Sequence, residues 1–199
     1  MSASFFLAFS ILIVSVFRIA QVKYVFSQAP NPTSQPKPTE ITYNLPFAGP
    51  IQPDSVLWPF KALRDQVWLT LTFNSSKKAE LYLLMADKRL ANSQTLFKNQ
   101  KPDLAVSVLT KAEKYLELAQ RQERVAKQSG SNTIGFLQKF ILATLKHRQV
   151  ADEILAIAPE DARPLITKTQ DYPKRLYQEA KNGLLEQGAV APQNPFDQN

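Results

Sequence analysis

The chain of 199 residues has no cysteine, one histidine and five glycines. Each scarcity excludes chemistry. Without cysteine there is no disulfide framework, thiolate metal site, iron–sulfur cluster or thiol nucleophile. One histidine cannot build a multi-histidine metal cage. A di-metal carboxylate bundle needs Glu-x-x-His pairs on two helices, and the residue three before His147 is Thr144. The few glycines form no phosphate-cradling loop, and no serine sits in a nucleophile-elbow motif. The expectation is a protein that is not an enzyme and carries no metal or cofactor.

What is present is apolar and basic. Hydrophobic residues make up 44% of the chain, enough for a core, and 24 Lys and Arg stand against 17 Asp and Glu. Fourteen prolines outnumber the glycines almost three to one.

Residues 3–17 carry no charge and are mostly apolar. Fifteen residues suit the hydrophobic region of a signal peptide. Counting on to Val22 reaches the length of a spanning helix if Arg18 snorkels. Residues 1–27 therefore read as a signal peptide or a membrane anchor, with a cut after Ser27 as the better cleavage site. Arg18 and Lys23 follow the apolar run, which by the positive-inside rule favours leaving its C-terminal side in the cytoplasm. The stretch that follows looks exported. Residues 28–42 are proline-rich, with Pro30, Pro32, Pro36 and Pro38, and suit a semi-rigid polyproline spacer. A ligand for an SH3-like domain is the less favoured reading.

From Pro53 the pattern is helical and shows no period-two alternation, so the fold class is all-α. A first segment covers residues 57–71, with Phe60, Leu63, Val67, Trp68 and Leu71 as its apolar face. Asn74 is placed to cap a second segment, 75–99. Pro102 opens a third, which Gly130 is placed to end. The short joint at Lys101–Pro102 predicts an antiparallel hairpin. A fourth segment covers 133–158, and its apolar register slips between Leu145 and Val150, which suggests a bend. Pro159, Glu160 and Asp161 restart a helix that Pro164 and Pro173 interrupt. The last segment covers 173–187, and residues 189–199 read as a disordered tail. The expected architecture is an antiparallel bundle of four to five helices around a long central hairpin, preceded by the N-terminal hydrophobic helix and the spacer.

Several motifs then line up in order: Leu45-Pro46, Gly49, Pro53-Asp54-Ser55, Pro59-Phe60-Lys61-Ala62-Leu63-Arg64-Asp65, Lys77-Lys78-Ala79-Glu80-Leu81, Ala86-Asp87-Lys88-Arg89-Leu90 and Lys111-Ala112-Glu113-Lys114-Tyr115. Over residues 43–120 the chain resembles the DUF5667 domain family. Gln52 departs from the apolar residue usual there, and Asn74-Ser75 replaces an Asp-Pro helix start. The resemblance implies a prokaryotic, exported or membrane-anchored helical domain of undefined function. It divides the folded part into a domain at 43–130 and a C-terminal helical extension at 131–188 packing on it.

Candidate residues have bland readings. His147, between Lys146 and Arg148, reads as a partly exposed histidine. Glu113, Glu117 and Arg121 share one face at four-residue spacing and read as a solvated ion-pair ladder. Asp65, Asp87 and Arg89 read as ion pairs locking the first segment to the second. Tyr43, Phe47 and Trp58 are expected to pack across one end of the bundle.

Without residues 1–29, which hold Arg18 and Lys23 and no acid, the positive excess falls from +7 to +5. Acids interleave with the bases of the hairpin, which weakens any case for nucleic acid as a partner. The leading expectation is a membrane-tethered or secreted extracytoplasmic protein-interaction module with an envelope protein as partner. The alternative is a binder of anionic envelope polymer or lipid surface through Lys77, Lys78, Lys88 and Arg89.

Overall fold

The computed structural model describes residues 24–27 and 40–198. The hydrophobic N-terminal run, expected as signal peptide or anchor, and most of the proline-rich spacer lie outside the described residues. The class is all-α: among the described residues there are six α-helices, one 3₁₀ turn and no strand. Their order is α1 (Trp58–Leu71), α2 (Ser75–Lys98), α3 (Pro102–Gln128), α4 (Ile134–Ile157), α5 (Arg163–Thr169) and α6 (Asp171–Leu185), then the 3₁₀ turn Pro195–Gln198. None of these helices is long and apolar enough to cross a membrane.

Local chemistry explains where the long helices start and stop. The Asn74 side chain accepts a hydrogen bond from the Lys77 amide at 2.9 Å and satisfies one of the unpaired donors at the start of α2. Pro102 opens α3 where its missing N–H costs nothing. Gly130 follows α3 with φ +85°, a left-handed conformation that reverses the chain without a side-chain clash. The turn between α2 and α3 also needs a left-handed residue, and there it is Gln100, at φ +56°.

α2 and α3 form the central hairpin, α4 packs on α2, and α6 packs on α4 and α3. Two apolar clusters fill the bundle. One joins the first half of α2, the second half of α3, the first half of α4, and α6, through Leu83, Leu116, Phe140 and Leu176. The other joins the opposite halves of α2, α3 and α4 with α5, through Leu90, Leu109, Ile154 and Ile166. The clusters meet after Ala86 in α2, after Ala112 in α3 and after Leu145 in α4. The register slip expected to bend the fourth segment falls here, inside a helix that runs unbroken from Ile134 to Ile157.

Three expectations about shape are corrected. Pro164 and Pro173 do not interrupt helices. Pro164 sits at the start of α5, and Pro173 falls in the first turn of α6, where backbone donors lack partners in any case. Residues 189–198 are not a disordered tail. Gly188, at φ +69°, turns the chain back after α6. Ala189, Ala191 and Phe196 then pack on the bundle, and the Arg148 guanidinium lies 4.1 Å over the Phe196 ring. Finally, α1 does not bury its expected apolar face. Phe60 is 71% exposed and Leu71 64%, and Val67 and Trp68 are also exposed. The helix turns its other side inward, with Asp65 and Leu69 as its buried residues.

Candidate functional site

The junction between the two clusters is a layer of buried polar side chains. His147, from α4, exposes no surface. Its Nδ1 lies 2.8 Å from Glu113 Oε1 of α3, and its Nε2 lies 3.2 Å from Asp87 Oδ1 of α2. Both carboxylates are buried. The other oxygen of Asp87 accepts a 2.6 Å hydrogen bond from the Tyr43 hydroxyl, while Glu113 Oε2 has no hydrogen-bond partner among the described residues. Burial pulls the imidazole toward neutrality, but the charges and hydrogen bonds of Glu113 and Asp87 together outweigh it and raise the pKa to about 9. His147 is therefore an imidazolium at neutral pH, donating from both nitrogens to two helices. Burial and then the charge and hydrogen bond of Asp87 push the Tyr43 hydroxyl well above its ordinary range, so it stays protonated and donating.

The segment before α1 is strapped over this layer. Besides Tyr43, the Ile41 amide donates to Gln149 Oε1 at 3.0 Å. Gln149 donates to Glu153 at 2.7 Å, and the same carboxylate accepts from Gln94 of α2 at 2.7 Å. Farther on, Lys61 Nζ donates to the carbonyls of Ala48 at 2.7 Å and Ile51 at 2.9 Å, clasping the loop that Gly49 turns with φ +90°.

Several residue readings change. His147 is not partly exposed, and Glu113 is not a rung of a solvated ladder. Glu113 faces inward beside the buried Ala112 and Leu116, whereas Glu117 pairs outward with Arg175 of α6 at 2.9 Å. Asp65 and Arg89 do pair across α1 and α2, at 3.6 Å, but Asp87 takes part in the His147 layer instead. Tyr43 and Trp58 do not pack across one end of the bundle: Tyr43 reaches Asp87 and Trp58 lies over Arg89, both in the middle of α2, and Phe47 is 81% exposed.

Of the four residues expected to bind an anionic surface, Lys77 is exposed at the start of α2 and Lys78 and Lys88 are half-buried. Arg89 is not on the surface. It is buried, with its guanidinium 4.3 Å over the Trp58 ring and 5.9 Å from that of Tyr115. The indole of α1 covers it because the adjacent Asp65 needs a buried counter-charge. The structure therefore separates Arg89 from the three lysines.

A cavity of about 380 Å³ opens between α1 and the α2–α3 hairpin. Its wall combines Trp58, Leu69 and Tyr115 with Arg89, Lys111 and Lys114. Sequence reading missed both the cavity and the histidine layer. The register slip at 145–150 was a signal for the layer, since an apolar face breaks where a polar side chain must point inward. No comparable signal marked the cavity. Among the described residues, no group of three or more His, Cys, Asp or Glu is arranged to hold a metal ion.

These features define an all-α domain whose three long helices are cross-linked by one buried imidazolium. A family model described as Domain of unknown function (DUF5667) matches residues 50–161, more than half of the chain, and the protein belongs to that family. The match begins seven residues later than the resemblance suggested and runs on through α4. Residue 130 is therefore not a boundary, and the helix bearing His147 lies within the family's domain. No curated protein and no solved structure matches the chain.

Proposed function

We propose that the protein is a membrane-tethered or secreted extracytoplasmic module that docks a partner protein of the cell envelope through the outer face of α1, and that it is not an enzyme. The observation that carries this reading is the inverted amphipathicity of α1. Phe60, Val67, Trp68 and Leu71 form an exposed stripe at helical spacing, continued by Phe73 at 85% exposure and Val56 at 90%. Contiguous apolar surface of this kind marks interaction sites. Tethering rests on the apolar N-terminal run and the proline-rich stretch that follows it.

A photo-crosslinking residue at Phe60 or Leu71, with one at Lys181 on α6 as control, tests this in cells. The expected result is one discrete adduct from the α1 positions, absent from the control. Equal smears from all three positions would end the reading. Fractionation with N-terminal sequencing tests the location, and a cytosolic pool beginning at Met1 would undo it. The reading of a polyanion-binding hairpin is weaker, because it loses Arg89 to the interior and Arg124 and Lys127 are engaged with Glu179 and Glu186.

A further inference from the structure

We propose that the cavity between α1 and the α2–α3 hairpin is a binding site for a small amphiphile with an oxyanion head, a carboxylate or a phosphate on a short apolar chain. The site is lined by the inner face of α1, so it is separate from the outer stripe assigned to a partner protein, and either assignment can fail alone.

Size comes first. At about 380 Å³ the cavity lies at the lower end of small-molecule pockets, roughly 300–1,000 Å³. It suits a small molecule and is too confined for a folded partner.

Charge comes second. Arg89, Lys111 and Lys114 line the cavity, and among the described residues no carboxylate does. Arg89 is 5% exposed. Its carboxylate partner Asp65 stands 3.6 Å away, beyond hydrogen-bonding reach, and that carboxylate is already held by Arg64 at 2.7 Å. Lys111 has no ion-pair partner among the described residues, and burial, then the nearby Arg89 and Lys114, favour loss of its proton. Lys111, half-buried and without an ion-pair partner among the described residues, and Arg89, whose ion pair with Asp65 is long, face one space and are stabilised by an anion entering it. A planar guanidinium held against an indole is pre-organised for the paired oxygens of a carboxylate or phosphate.

Lining chemistry comes third. Beyond the cations the wall is mostly apolar, with Trp58, Leu69, Tyr82 and Tyr115 among further aliphatic side chains and with Gln66 and Ser107 as its neutral polar members. An inorganic anion would leave that surface unmatched, whereas a short hydrocarbon chain covers it. The head would sit at Arg89 and Lys111 and the chain along Leu69.

The chain holds two tryptophans, so the Trp68→Phe variant of the full-length protein leaves Trp58 as a reporter in the cavity wall. Held in phosphatidylcholine nanodiscs, with empty discs subtracted, it is titrated with octanoate, octyl phosphate, octan-1-ol and octylammonium. The expected result is a saturable change in Trp58 emission with octanoate or octyl phosphate, and at least about tenfold weaker binding of the neutral and cationic chains. Which anion binds tighter identifies the head. Lys111→Met and Lys114→Met keep the aliphatic stems, and circular dichroism checks their fold. At least one should weaken the preferred anion about tenfold, the size expected when a charge-assisted bond is lost. Equal binding of all four compounds, no saturable change with either anion, or unchanged affinity in both lysine variants would overturn the proposal.

Discussion

Helix α1 and the α2–α3 hairpin solve the problem of amphipathicity in opposite ways. In the hairpin, apolar seams face each other, and Leu90, Leu109 and Leu116 are buried almost completely. In α1 the apolar stripe faces out and a polar, aromatic face turns in. Trp58 and Asp65 reach Arg89, and Leu69 alone among its aliphatic residues is buried. Hydrophobic burial holds the hairpin, whereas a buried ion pair and a cation–aromatic contact hold α1. The contrast teaches that a helix can be amphipathic toward something other than its own core. Its stability within the chain and the use of its apolar face are then separate quantities.

The most damaging way to probe that contrast is to truncate matched leucines. Leu116→Ala removes a fully buried side chain and should cost about 2–5 kcal/mol. Leu71→Ala, on the outer stripe, should change stability by less than about 0.5 kcal/mol. Urea unfolding measures both, and a loss above about 2 kcal/mol at Leu71 would show that the α1 stripe is covered within the chain itself.

The second test acts on the layer that divides the hairpin core. His147 holds its proton more tightly folded, with a pKa of about 9, than unfolded, near 6.5. Its contribution is complete below about pH 6.5 and is lost as pH rises through 9, with a size of up to about 3 kcal/mol. Unfolding free energies at pH 6.5 and pH 9.5 should fall in that order. A flat profile would mean that the imidazole is neutral when folded.

A third, smaller effect is expected at the α1 attachment. Asp65→Asn removes the buried carboxylate paired with Arg89 and should cost roughly 1–3 kcal/mol, mostly by loosening α1. Trypsin should then cut faster after Lys61 and Arg64, while amide protection in α2 and α3 stays unchanged. Loss of protection throughout would show that α1 is integral to the bundle.

The smallest effect belongs to the surface pairs. Glu179 joins Arg124 of α3 to Arg175 of α6. Glu179→Gln should cost no more than about 1 kcal/mol, less at high salt. A larger, salt-insensitive loss would move part of the bundle's stability from its core to its surface.

What the sequence determined by itself is local. Asn74 capping α2, Pro102 opening α3 and Gly130 ending it act within one helical turn, so their meaning is the same in any context. The three- and four-residue spacing of apolar side chains likewise sets the helical class and the central hairpin without reference to distant residues. Tertiary structure decided everything that depends on a partner. His147 holds its charge through Glu113, 34 residues away, and Asp87, 60 residues away. Arg89 leaves the surface because Asp65 and Trp58 come from another helix. The apolar stripe of α1 points outward although its spacing matches that of any core helix, because periodicity says only that a helix has two faces. Which face is buried depends on the competing surfaces offered by the rest of the chain, and here a buried arginine outweighed a row of aromatic and aliphatic side chains.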